Sequence, residues 1–73
     1  MSRAQRYSIN IQWSDRDQAY IANVPELPGC KTHGETYKEA LSNILDVIEL
    51  WIEAAEEAGE MIPLPQIINF QRN

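Results

Sequence analysis

From Tyr7 to Trp13 apolar and polar residues alternate without a break: Tyr7, Ile9, Ile11 and Trp13 fall on one side, Ser8, Asn10 and Gln12 on the other. A period of two over seven residues predicts a strand with one buried face. The polar stretch 14–18 fits a hairpin loop, and 19–24 predicts a second strand whose Tyr20, Ala22 and Val24 extend the buried face. Pro25 has no amide hydrogen, so regular pairing should stop there. Pro28-Gly29 favours a type II turn with Gly29 at positive φ. Residues 30–33 are short and extended and suit a third strand, which Gly34 should end.

The period then changes from two to between three and four. Ala40, Leu41, Ile44, Leu45, Ile48, Trp51, Ile52 and Ala55 mark the core stripe of a helix from about Tyr37 to Ala58. Thr36 and Glu39 match a capping box, in which the Thr36 hydroxyl accepts from the Glu39 amide and the Glu39 carboxylate reaches back to the Thr36 amide. Gly59 stands where a left-handed C-terminal cap belongs. A second strip, Val47, Leu50, Trp51 and Ala54, widens the apolar arc. It is either the margin of a broad core face or a contact to a partner, with Leu50, Trp51 and Ala54 as candidate interface residues. Beyond the helix, Pro63 and Pro65 enforce an extended connector. Residues 66–70 read as a last short strand. Its Ile67, Ile68 and Phe70 either complete the sheet or pair across a subunit boundary, which makes Ile67 and Phe70 interface candidates too.

The expected fold is therefore α+β: an antiparallel sheet of three or four strands, in the order β-β-β-α-β, packed on one long helix. A chain of 73 residues gives one domain, with its core at about 6–65. So small a core is marginal, and such chains often gain stability from disulfides, metal or oligomerisation. Cys30 is the only cysteine and His33 the only histidine, which leaves no internal disulfide and no ordinary zinc set. A homo-oligomer, dimer or tetramer, is the remaining expectation. With 6 basic and 11 acidic residues the formal charge is −5. That disfavours direct binding to nucleic acid or to an anionic membrane and suits a basic protein partner. No apolar run long enough to span a membrane and no signal-peptide core is present, so a cytoplasmic location is expected.

Groups able to carry catalysis are scarce. The chain has no phosphate-binding glycine loop, nucleophile elbow or His-Glu-x-x-His pair. Cys30 and His33 stand three apart in an extended segment and so point to opposite faces, which rules them out as a nucleophile–base pair. Asp46, Glu49, Glu53, Glu56 and Glu57 fall on one stripe of the helix, either a solvated face or a docking surface for a basic partner. No catalytic residue, cofactor or metal is assigned, and enzymatic activity is not expected.

The segment AYIANVPELPGCKTHGET, residues 19–36, resembles the signature of the HicB-like antitoxin family. The matching positions are Pro25, Glu26, Leu27, Pro28, Gly29 and Cys30, then Gly34, Glu35 and Thr36. The likeness runs on through 38–41 to the post-helix Ile62-Pro63-Leu64-Pro65. It implies a partial RNase H-like fold without a catalytic site, oligomerisation, and neutralisation of a small basic HicA-type toxin that cleaves mRNA with a histidine. Many members add a C-terminal DNA-binding module; eight residues follow Pro65, too few for one, so operator binding by this chain alone is not expected. The alternative is a non-catalytic homo-oligomeric adaptor or ligand-binding domain without a toxin partner.

Overall fold

A computed structural model describes residues 3–68. Three antiparallel strands, β1 (Asn10–Ser14), β2 (Ala19–Asn23) and β3 (Lys31–Gly34), lie in the order β1-β2-β3. One helix, α1 (Tyr37–Glu57), covers one face of the sheet. The α+β expectation holds, with three strands among the described residues.

The register places Ile11 opposite Ala22 and Trp13 opposite Tyr20. The alternation read from the sequence therefore does select the helix-side face. The helix does not cover that face evenly, because it packs chiefly on β3, less on β2 and least on β1. Ala22 is fully buried under it, while Trp13 at the far end of the hairpin stays about half exposed. The core joins Ala22, Val24, Leu27 and Cys30 to Ala40, Ile44, Ile48 and Ile52 of α1.

Close approach of α1 to β3 depends on Gly34. This glycine is the last residue of β3, and a Cβ added to it would run into the Ala40 amide and lie 2.8 Å from the Ala40 Cα. Its role is to admit the helix, beyond simply ending the strand.

The helix ends follow the sequence closely. Thr36 Oγ1 accepts from the Glu39 amide at 3.0 Å. The reciprocal bond is displaced by one residue: Glu39 Oε1 accepts from the Glu35 amide at 2.7 Å, not from Thr36. At the other end Gly59 has φ 70°, its amide donates to the Glu56 carbonyl, and the Glu60 amide donates to the Ala55 carbonyl. These two bonds form a Schellman cap.

Two strand assignments also depart from the sequence expectation. The first strand begins at Asn10 rather than Tyr7, because Arg3–Arg6 form a 3-10 turn that seats Ala4 and Tyr7 in the core. The second departure is the strand expected over 66–70. Residues 61–68 form no regular element and pair with no strand among the described residues, and Asn69 and Phe70 lie outside the described residues. Pro63 and Pro65 lack amide donors, and the Gln66 amide is taken by a side chain instead.

Candidate docking surfaces and the signature loop

The loop from Val24 to Cys30 consists of two successive turns. The Leu27 amide donates to the Val24 carbonyl at 3.2 Å, and the Cys30 amide donates to the Leu27 carbonyl at 3.0 Å. Pro25 and Pro28 occupy the second position of each turn, where their fixed φ is favourable. Gly29 has φ 76°, the value a type II turn requires at its third position. The Val24 amide donating to the Cys30 carbonyl at 3.0 Å closes the loop.

Glu26 is the centre of this region. Only 9% of it is exposed. Its carboxylate accepts from the Ser8 amide and the Ser8 hydroxyl, both at 3.0 Å, and from the Gln66 amide at 2.9 Å. Burial pushes its pKa up, but the donors from Gln66, Ser8 and its own backbone outweigh burial and hold it below the ordinary carboxylate value. Three separate segments are thereby joined: the entry to β1, the loop, and the strap 61–68. A second fastener lies beside it, where the Tyr7 hydroxyl donates to the Pro63 carbonyl at 2.6 Å. Burial, followed by the nearby Glu26 charge, raises the Tyr7 pKa.

Cys30 is buried, and burial raises its thiol pKa. His33 is exposed on β3, and its carbonyl accepts from the Asn43 side chain at 2.9 Å. Among the described residues no three of His, Cys, Asp and Glu gather in a metal-binding group. A hollow of about 400 Å³ lies between the strap and the 3-10 turn, lined by Arg3, Arg6 and Tyr7 with apolar neighbours including Ile52 and Ile62. Its lining offers two cations and a phenol but no carboxylate, imidazole or thiol, so it has no acid–base pair. No helix of the described residues is long and apolar enough to cross a membrane.

The interface candidates separate into two groups. Leu50 is 64% exposed and Ala54 is also exposed, whereas Trp51 is drawn inward. Its ring packs against the core and its indole N–H donates to the Pro28 carbonyl at 3.0 Å, which fixes α1 to the signature loop. Ile67 is 63% exposed on the strap, and Phe70 lies outside the described residues.

The sequence did not mark a third surface. Trp13 and Tyr20 meet edge to face with ring centres 5.1 Å apart, and Tyr20 lies 4.5 Å from the Tyr37 ring. Tyr37 and Leu41 at the start of α1 are exposed beside this row. The clue lay in the length of the apolar arc on β1 and β2, which exceeds what one helix can cover.

The model of the HicB-like antitoxin of bacterial toxin–antitoxin systems matches residues 7–73 of the chain. The chain belongs to the HicB-like antitoxin family. A UPF0150 protein of Thermoplasma acidophilum is 47% identical over 58 residues, covering 80% of this chain and 83% of that protein. A UPF0150 protein of Synechocystis is 39% identical over 66 residues, covering 88% and 94%. One from Thermotoga maritima is 33% identical over 62 residues, covering 85% and 79%. The Pro-Glu-Leu-Pro-Gly-Cys signature of this HicB-like chain thus has a physical account: two proline-primed turns, one left-handed glycine, a buried thiol, and a carboxylate that ties the two ends of the domain together.

Proposed function

We propose that this chain acts as an antitoxin by protein–protein contact, neutralising a small basic HicA-type ribonuclease without catalysing a reaction itself. Family membership supports the antitoxin class. The observation that carries the mode of action is the use made of the signature loop. The Glu26 carboxylate and the Trp51 indole bond inward and Cys30 is buried, so the loop's polar groups serve the fold. What the chain offers a partner is surface: the acidic stripe of Asp46, Glu53 and Glu57 with exposed Leu50 and Ala54 beside it. With a net charge of −5 such a surface steers a basic protein toward it and speeds association. Action in the cytoplasm, as a homo-oligomer, completes the proposal.

The test is coexpression with a HicA-type toxin encoded beside this chain's gene, with growth and mRNA integrity as readouts. Rescue of growth and copurification of the pair are expected. Coexpression that leaves the toxin fully active rejects the proposal. Charge reversal at Asp46, Glu53 and Glu57 together should slow association and weaken its salt dependence.

A further inference from the structure

The hollow between the strap and the 3-10 turn is amphipathic. Ile52 and Tyr7, 1% and 8% exposed, form its inner wall, while Leu64 and Ile67, 82% and 63% exposed, stand at its outer edge. Partly buried Ile62 completes the apolar lining. Exposed apolar side chains gathered around a hollow mark a binding surface rather than a packed core. The volume of about 400 Å³ falls among small-molecule sites, which span roughly 300–1,000 Å³.

Two guanidinium groups share this lining. In a 3-10 turn residues three apart eclipse, so Arg3 and Arg6 project from one side of it. Arg3 already meets a carboxylate with both of its outer nitrogens: Nη1 and Nη2 donate to the two Glu56 oxygens at 3.1 and 3.3 Å. Arg6 is exposed and forms no ion pair among the described residues. In a chain of net charge −5, such a cation beside an apolar hollow suits an external carboxylate joined to an apolar body.

The nature of that body follows from what the lining lacks. The Tyr7 hydroxyl is engaged by the Pro63 carbonyl and the Gln66 amide by Glu26, and apart from the two arginines the remaining lining side chains are aliphatic. A sugar, nucleobase or peptide group placed against them would lose its hydrogen bonds to water and gain none. A hydrocarbon tail has no such requirement. We propose that the hollow binds a free aliphatic carboxylate of medium chain length, with the Arg6 guanidinium on the head group, Arg3 beside it, and the tail against Tyr7, Ile52, Ile62 and Leu64. This site goes beyond antitoxin action and does not rest on it, since no residue of the Asp46, Glu53 and Glu57 stripe lines the hollow.

The test is isothermal titration calorimetry of the full chain with decanoate below its aggregation concentration, with far-UV circular dichroism as the folding control. Saturable one-to-one binding is expected, tightening about threefold for each methylene from hexanoate to decanoate. Decanol, which keeps the tail and lacks the charge, should bind about tenfold more weakly. Arg6→Gln should lower decanoate affinity about tenfold and leave decanol affinity unchanged. Leu64→Asn, at an exposed position, should weaken both ligands about threefold, and it serves as the test if Arg6→Gln fails to fold. On titration the amide resonances of Arg6, Tyr7, Ile52 and Leu64 should move, and those of Trp13, Tyr20 and Tyr37 should not. No saturable binding, equal affinity for decanoate and decanol, or shifts confined to the aromatic row overturns the proposal. Binding only to phosphatidylglycerol vesicles, which would make the hollow a contact for bilayers, does the same. Growth rescue in the toxin assay is scored without added ligand, so failure of this site is distinguished from failure of antitoxin action.

Discussion

The two ends of the sheet differ in how their side chains are used. At the end where β2 leaves and β1 enters, each prominent group has an internal partner: Glu26 holds Ser8 and Gln66, Tyr7 holds Pro63, and Trp51 holds the Pro28 carbonyl. At the hairpin end, Trp13 and Tyr37 stack around Tyr20 yet remain half exposed, and α1 has moved off toward β3. Aromatic side chains thus play opposite parts in one small domain. An indole whose N–H is bonded to a loop carbonyl fixes the architecture. Rings that stack on one another and leave their outer faces in solvent keep apolar surface exposed.

If the closed end carries the fold, truncating it should be far more damaging than truncating the open end. Leu27→Ala is the most severe test, since Leu27 is among the largest fully buried side chains. A loss of about 3 kcal/mol is expected in urea unfolding, enough to leave so small a domain largely unfolded. A loss under about 1 kcal/mol would mean that the loop can collapse into the space and does not anchor the core.

Glu26→Gln comes next, with an expected loss of about 2 kcal/mol at neutral pH, because the charged acceptor of three donors becomes a neutral amide. The pH dependence gives this its sign. The folded-state pKa of Glu26 lies below its ordinary value of 4.5, so its contribution is complete above 4.5 and is lost as pH falls through the lower folded-state value. Wild type and Glu26→Gln should therefore converge in stability below about pH 4.5. A gap that stays constant down to strong acid would show that the amide disturbs packing rather than removing a charge. Hydrogen exchange at the Gln66 amide should quicken in the variant before the sheet amides do, since release of the strap needs only local opening.

These contrasts also explain which parts of the molecule were legible in the sequence. Signals that act within a few residues read through: the alternation of 7–13, the Thr36 cap, and the left-handed Gly29 and Gly59. Ile11 and Trp13 were placed on the correct face by period alone, but period says nothing about how far a helix extends over that face. The β-forming character of Ile67-Ile68 suggested a strand; the donor needed to start one, the Gln66 amide, is captured by a carboxylate 40 residues away. Glu26 in a proline-rich turn reads as a solvated charge until that partner is known. The Arg3–Arg6 turn spans four residues, too few for any periodicity to show. For the candidate surfaces the same limit applied. Leu50 and Ile67 could be named as exposed apolar residues, whereas the row of Trp13, Tyr20 and Tyr37 is assembled from two strands and a helix.

The smallest expected effect tests the open end. Tyr37→Ala removes a ring from the first turn of α1, where it is exposed and follows the Thr36 cap. In dilute solution its unfolding free energy should change by no more than about 0.5 kcal/mol. The exposed ring loses little burial, and alanine is the better helix former. A large loss already present in dilute solution would instead make the Tyr20–Tyr37 contact part of the core, and the distinction between a closed and an open end would fail.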